Sequence, residues 1–163
     1  MTDERLKGRI ALIIGGSSGL GKATAIKFAS SGARIAIADL HSGGVEDQIK
    51  QQHGDAAAIF TLCNVTQETD IIKVIEEVTQ WGGRLDILCN FAGIFVDRAD
   101  GNPARCHELA AEQFDQTIAV NCRGTWLCCK YALKQMMEQE PLAPNARGER
   151  TRGWIVNTAS TVG

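Results

Sequence analysis

The chain has 163 residues, 44% hydrophobic and 22% charged, and carries a net charge of −2 at pH 7. This length and balance suit a single domain over residues 1–163 with its own apolar core. They exclude the basic face of a nucleic-acid binder and a general membrane-surface binder. Met1 to Arg9 is charged and lacks a signal-peptide apolar core. No apolar run approaches the roughly 20 residues that span a bilayer, so the expectation is a soluble, cytoplasmic protein.

In chain order, Ile10 to Ile14 is an apolar run that reads as a buried strand, and it enters a Gly-Ser cluster. Gly15, Gly19 and Gly21 are spaced G-x-x-x-G-x-G, and a helical pattern follows from Leu20 to Ser31, with Gly32 as its stop. Glycines let the backbone turn sharply and approach a ligand, and the helix start offers N–H groups to an anion such as a pyrophosphate. Ser17 and Ser18 add hydroxyls at the same mouth. Arg34 to Ala38 is a second strand ending at Asp39. A carboxylate there is placed to accept hydrogen bonds from adenosine ribose hydroxyls. It would repel a 2′-phosphate, and no Arg or Lys stands at Ser18 or Leu40 to pair with one. The cofactor expected is NAD in preference to NADP.

A helix over 45–52, a strand over Ala57 to Leu62 and a helix running to about Trp81 follow. Thr66 reads as the N-cap of that last helix, with Ile71, Ile72, Val74, Ile75 and Val78 facing inward. Leu85 to Cys89 is strand four. A long connection over 96–110 precedes a helix over 111–138 that is interrupted before Asn121. The arginines of the loop over 141–153 read as solvated surface, and Trp154 to Thr158 is strand five. Alternating β-α units with continuous apolar strands predict an α/β, Rossmann-like, doubly wound parallel sheet. Right-handed crossovers give strand order 3-2-1-4-5, with a ligand crevice between strands one and four. None of the six cysteines is spaced C-x-x-C, so no metal site is expected and the thiols read as buried and reduced.

Five motifs in order resemble the short-chain dehydrogenase/reductase family. I-G-G-S-S-G-L-G at 14–21 is similar to T-G-x-x-x-G-[IL]-G, with Ile14 for Thr. Asn64-Val65 stands where the family usually has Asp-Val at the adenine, and N-F-A-G at 90–93 resembles N-N-A-G, with Phe91 for the second Asn. V-N-C-R-G at 120–124 resembles V-N-x-x-G, and G-W-I-V-N-T-A-S at 153–160 resembles G-x-I-V-N-x-S-S. The resemblance implies cofactor contacts at Gly15, Ser17, Ser18, Gly19, Leu20, Gly21, Asp39, Asn64, Val65, Asn90, Ala92 and Gly93, and catalytic roles for Asn121 and Ser160. It implies hydride transfer between a nicotinamide and a small-molecule alcohol or carbonyl substrate.

The family's Tyr-x-x-x-Lys acid/base pair would fall past Gly163, so the fold is expected to be incomplete at its C-terminus and the 163 residues poorly active alone. Tyr131, the one tyrosine, reads as a helix packing residue. Two alternatives stay open: a non-redox dinucleotide-binding module, and a non-redox tailoring enzyme reusing the pocket. Asn121 has a structural alternative, bonding backbone groups at a helix irregularity. Phe114, Ile118, Trp126, Leu127 and Leu133 read as apolar surface, so the chain is expected to form a homo-oligomer or to have a partner cover its open sheet edge.

Overall fold

Ile10–Ile14 forms β1, buried at every position. The computed structural model describes residues 4–95, 105–144 and 146–159. Helix α1 (Gly19–Ser30), β2 (Arg34–Asp39), α2 (Val45–His53), β3 (Ala58–Leu62), α3 (Glu68–Gly82) and β4 (Ile87–Asn90) follow. Then come α4 (Ala111–Thr117), a π-helical segment (Ile118–Gly124), α5 (Thr125–Glu138) and β5 (Trp154–Asn157). All pairings are parallel, in the order β3-β2-β1-β4-β5, which is the expected Rossmann-like arrangement. Because side chains alternate along a strand, β1 serves two cores. Ala11 and Ile13 pack with Ile35, Ile37 and the buried faces of α1 and α2. Ile10, Leu12 and Ile14 pack with Leu88 and the buried faces of α3 and α5.

The elements match expectation with four corrections. Gln67, not Thr66, precedes α3, and it makes no side-chain cap. Thr66 is engaged elsewhere: Asn64 Oδ1 accepts its N–H at 3.0 Å and its hydroxyl at 2.8 Å. This local turn competes with capping. Ile71, Val74, Ile75 and Val78 are buried, but Ile72 is half-buried at the margin of that helix face. The interruption expected before Asn121 is a π-helical segment that contains it. Leu127 is fully buried, so it is core, while Phe114, Ile118, Trp126 and Leu133 are exposed.

The thiols divide as well. Cys63, Cys89 and Cys128 are buried, whereas Cys106 and Cys122 are exposed. At the opposite end of the sheet from the glycine turn, Asp86 is fully buried. It accepts the Arg84 guanidinium at 2.7 Å and the Ile10 N–H at 3.0 Å, tying β4 to β1. On β5, Trp154 and Val156 are about half exposed. In register they stand beside Ile87 and Cys89, on the face covered elsewhere by α1 and α2. Among the described residues no helix is long and apolar enough to cross a membrane.

Candidate functional site

At Gly15 and Gly21 the turn between β1 and α1 leaves no room for a side chain. Gly15 has φ +75, and a Cβ on it would stand 2.6 Å from the Ala92 nitrogen, so the segment after β4 closes directly on the turn. A Cβ on Gly21 would overlap the Gly15 carbonyl. Ser18 precedes α1 without capping it through its side chain, and Ser18, Gly19 and Leu20 are exposed. The first-turn N–H groups of α1 therefore lack a side-chain cap, and no acidic residue lies in that turn. Ser17 Oγ is buried and without a protein partner.

Asp39 ends β2 beside this turn. Its Oδ2 accepts the Ser17 N–H at 3.0 Å and its Oδ1 accepts the Leu40 N–H at 2.7 Å. A carboxylate has about four acceptor sites, so two remain. A cavity of about 500 Å³ opens here. It is lined by Gly15, Ser18, Asp39, Asn64, Val65, Ala92 and Gly93 among the expected residues. Cys63, Thr66, Phe91, Ile94, Gln116 and Val120 also line it and were not singled out as ligand contacts from sequence. Of these, Thr66 had a signal in the N-x-T spacing of Asn64 and Thr66, and Gln116 and Val120 in their i, i+4 helical spacing. Ile94 had none. Burial, with the Asp70 and Asp39 carboxylates nearby, pushes the Cys63 thiol up to about 12, so it stands in the cavity wall as a neutral thiol.

Asn90 and Asn121 do not line the cavity. Asn90 is buried behind it, donating to Asn157 Oδ1 at 2.7 Å and leaving its own Oδ1 without a partner. It ties β4 to β5. Asn121 is exposed and brackets one residue: its Oδ1 accepts the Ile94 N–H at 2.8 Å and its Nδ2 donates to the Ile94 carbonyl at 2.9 Å. Ser160 lies outside the described residues, as does 96–104 of the long connection. Tyr131 is a packing residue against the α3 and α5 core. Its hydroxyl donates to Glu68 at 2.5 Å, and the Lys130 ammonium reaches the same Glu68 oxygen at 2.8 Å. Those two bonds, Lys130 first, hold the Glu68 carboxyl below its usual range.

A dinucleotide fits these residues. The bare glycine backbone and uncapped helix start suit a pyrophosphate, Ser17 Oγ awaits a partner, and Asp39 keeps acceptor capacity for ribose hydroxyls. The family model described as short chain dehydrogenase matches residues 9–163. The chain belongs to the short chain dehydrogenase family. It is 36% identical over 158 residues to an uncharacterized oxidoreductase of Mycobacterium bovis, covering 97% of this chain and 57% of that protein. It is 37% identical over 137 residues to the D-threitol dehydrogenase of Mycolicibacterium smegmatis, covering 83% and 50%. With the levodione reductase of Leifsonia aquatica it shares 33% over 162 residues, covering 98% and 55%. The chain thus spans about half the length of these relatives. Membership of the short chain dehydrogenase family implies a nicotinamide dinucleotide as cofactor.

Proposed function

We propose that these residues form the NAD(H)-binding part of an oxidoreductase acting on an alcohol or carbonyl. The observation that carries this reading is Asp39, a carboxylate fixed by two backbone N–H groups at the cavity edge with acceptor sites left over. When bound, the nicotinamide supplies or takes up the hydride. The chain's own residues hold it: the glycine turn and α1 start take the pyrophosphate, and Asp39 takes the adenosine ribose. Asn64 and Val65 border the adenine, and Ala92 and Gly93 the turn toward the nicotinamide. Asn121, through Ile94, fixes the loop after β4. In this reading Ser160 orients the substrate oxygen.

The test is titration with NADH and NADPH. NADH should bind more tightly by about 1–3 kcal/mol, the range of a hydrogen bond to a charged group. Asp39→Ala should erase most of that difference. Equal or tighter NADPH binding by the wild type refutes the NAD assignment.

The Tyr131 hydroxyl is committed to Glu68 and its neighbour Lys130, so Tyr131 is not the acid/base of this reading. We also infer self-association through the exposed apolar side chains Phe114, Ile118, Trp126, Leu133 and Met137 of the 111–138 stretch.

A further inference from the structure

We infer that Glu46, although not a cavity residue, is a positioning residue that sets cofactor affinity and NAD preference by holding the loop over 40–44. This inference rests on the NAD(H) reading above. Glu46 lies in the first turn of α2 and is only 8% exposed. Its Oε1 accepts the Ser42 hydroxyl at 2.6 Å, and its Oε2 is buried without a partner. A carboxylate oxygen left so is costly, and folds keep such groups where they do a specific job.

The contacts say what the job is. Ser42 Oγ, held by Glu46, accepts the Gly44 N–H at 3.2 Å, so both sides of Gly43 are pinned. Gly43 in turn lies against the Ser17 carbonyl, where a Cβ would stand 2.5 Å away. The N–H of the same Ser17 donates to Asp39. Ser17 is therefore held by Asp39 on its N–H and packed closely by Gly43 at its carbonyl. Leu40, at the start of that loop, lines the cavity and gives its N–H to Asp39. Glu46 thus keeps Asp39 and the glycine turn in one geometry. Loosening it lets the loop drift, and the backbone N–H groups then freed are donors a 2′-phosphate can use.

The experiment measures NADH and NADPH dissociation constants and thermal midpoints for the wild type, Ser42→Ala, Glu46→Ala and Glu46→Gln. Ser42 is exposed, so Ser42→Ala keeps the fold and carries the test even where Glu46→Ala does not. Ser42→Ala and Glu46→Ala should weaken NADH about tenfold while changing NADPH about twofold or less, so the preference narrows. Glu46→Gln, whose amide oxygen still accepts the Ser42 hydroxyl, should stay within about threefold of wild type. Equal losses for both cofactors mark a merely structural role and overturn the inference, as does NADH affinity unchanged in Ser42→Ala. A wild type that binds neither cofactor fails the NAD(H) reading itself, and the inference with it.

Discussion

Asn121 holds both backbone polar groups of Ile94, one with each end of its side-chain amide. The π-helical segment is thereby locked to the loop that follows β4, twenty-seven residues earlier in the chain. Asn121→Ala should cost about 1–2 kcal/mol, the sum of two ordinary hydrogen bonds. It should also speed hydrogen exchange at the Ile94 amide at least tenfold. An unchanged exchange rate there would refute the clamp.

A polypeptide of residues 1–163 should bind NADH yet oxidise it slowly against a carbonyl panel. A positioned acid contributes roughly 10²–10⁴-fold, and Tyr131 is spent on Glu68. Stopped-flow and steady-state assays read both quantities. Turnover equal to that of family members carrying the Tyr-x-x-x-Lys pair would show that another group serves as acid.

Asp86 is fully buried, and its partner Arg84 is partly covered. Removing Asp86 leaves Arg84 partly solvated and orphans the Ile10 N–H, at a cost of about 1–3 kcal/mol. Asp86→Ala should lower the denaturant midpoint accordingly, and the Ile10 amide should lose its exchange protection. A loss below about 1 kcal/mol would place the stabilisation elsewhere.

Burial pushes the Cys63 and Cys128 thiols up to about 12 and Cys89 to about 11. In the unfolded chain each ionises near 8.5. Raising the pH from about 8.5 toward 11 therefore lets the unfolded state shed protons that the native state keeps. Stability falls over that window by up to about 1.4 kcal/mol per pH unit for each thiol. Denaturation series at pH 7.5 and 10 should show the drop, and Cys63→Ser or Cys128→Ser variants a shallower one. In the native protein a thiol reagent should modify the exposed Cys106 and Cys122 first.

At high micromolar concentration, light scattering should report a dimer or larger species. The double variant Leu133→Asp, Met137→Asp, at two exposed positions, should be monomeric with its thermal midpoint nearly unchanged. A monodisperse wild-type monomer would sink the proposed association.

The strands, the turn at Gly15 to Gly21 and the carboxylate at Asp39 were legible because each depends on local pattern: an apolar run, a residue without a Cβ, an acid at a strand end. What stayed hidden depends on which partner a side chain takes, near or far in the sequence. Nothing near Ile94 announces that Asn121 will bracket it. Thr66 looks like a cap because capping is local chemistry, and only the competing Asn64 side chain redirects it. Leu127 looked like surface because helical spacing alone does not say which stripe meets the sheet, and the π-helical segment shifts that stripe.

That segment makes the chain sensitive to length in a way no substitution reveals. A π-helical stretch behaves like an α-helix into which a residue has been inserted. Deleting one residue between Ile118 and Gly124 would let the stretch relax into regular helix, with α4 and α5 keeping nearly their present orientation because the wider π turn already absorbs the extra residue. Gln116 would stay at the cavity wall, and Leu127, Cys128, Ala132 and Met136 against the sheet. What would be lost is the place of Asn121 within the bulge, and with it the bracket on Ile94. The extra residue is thus what aims one amide at the loop after β4.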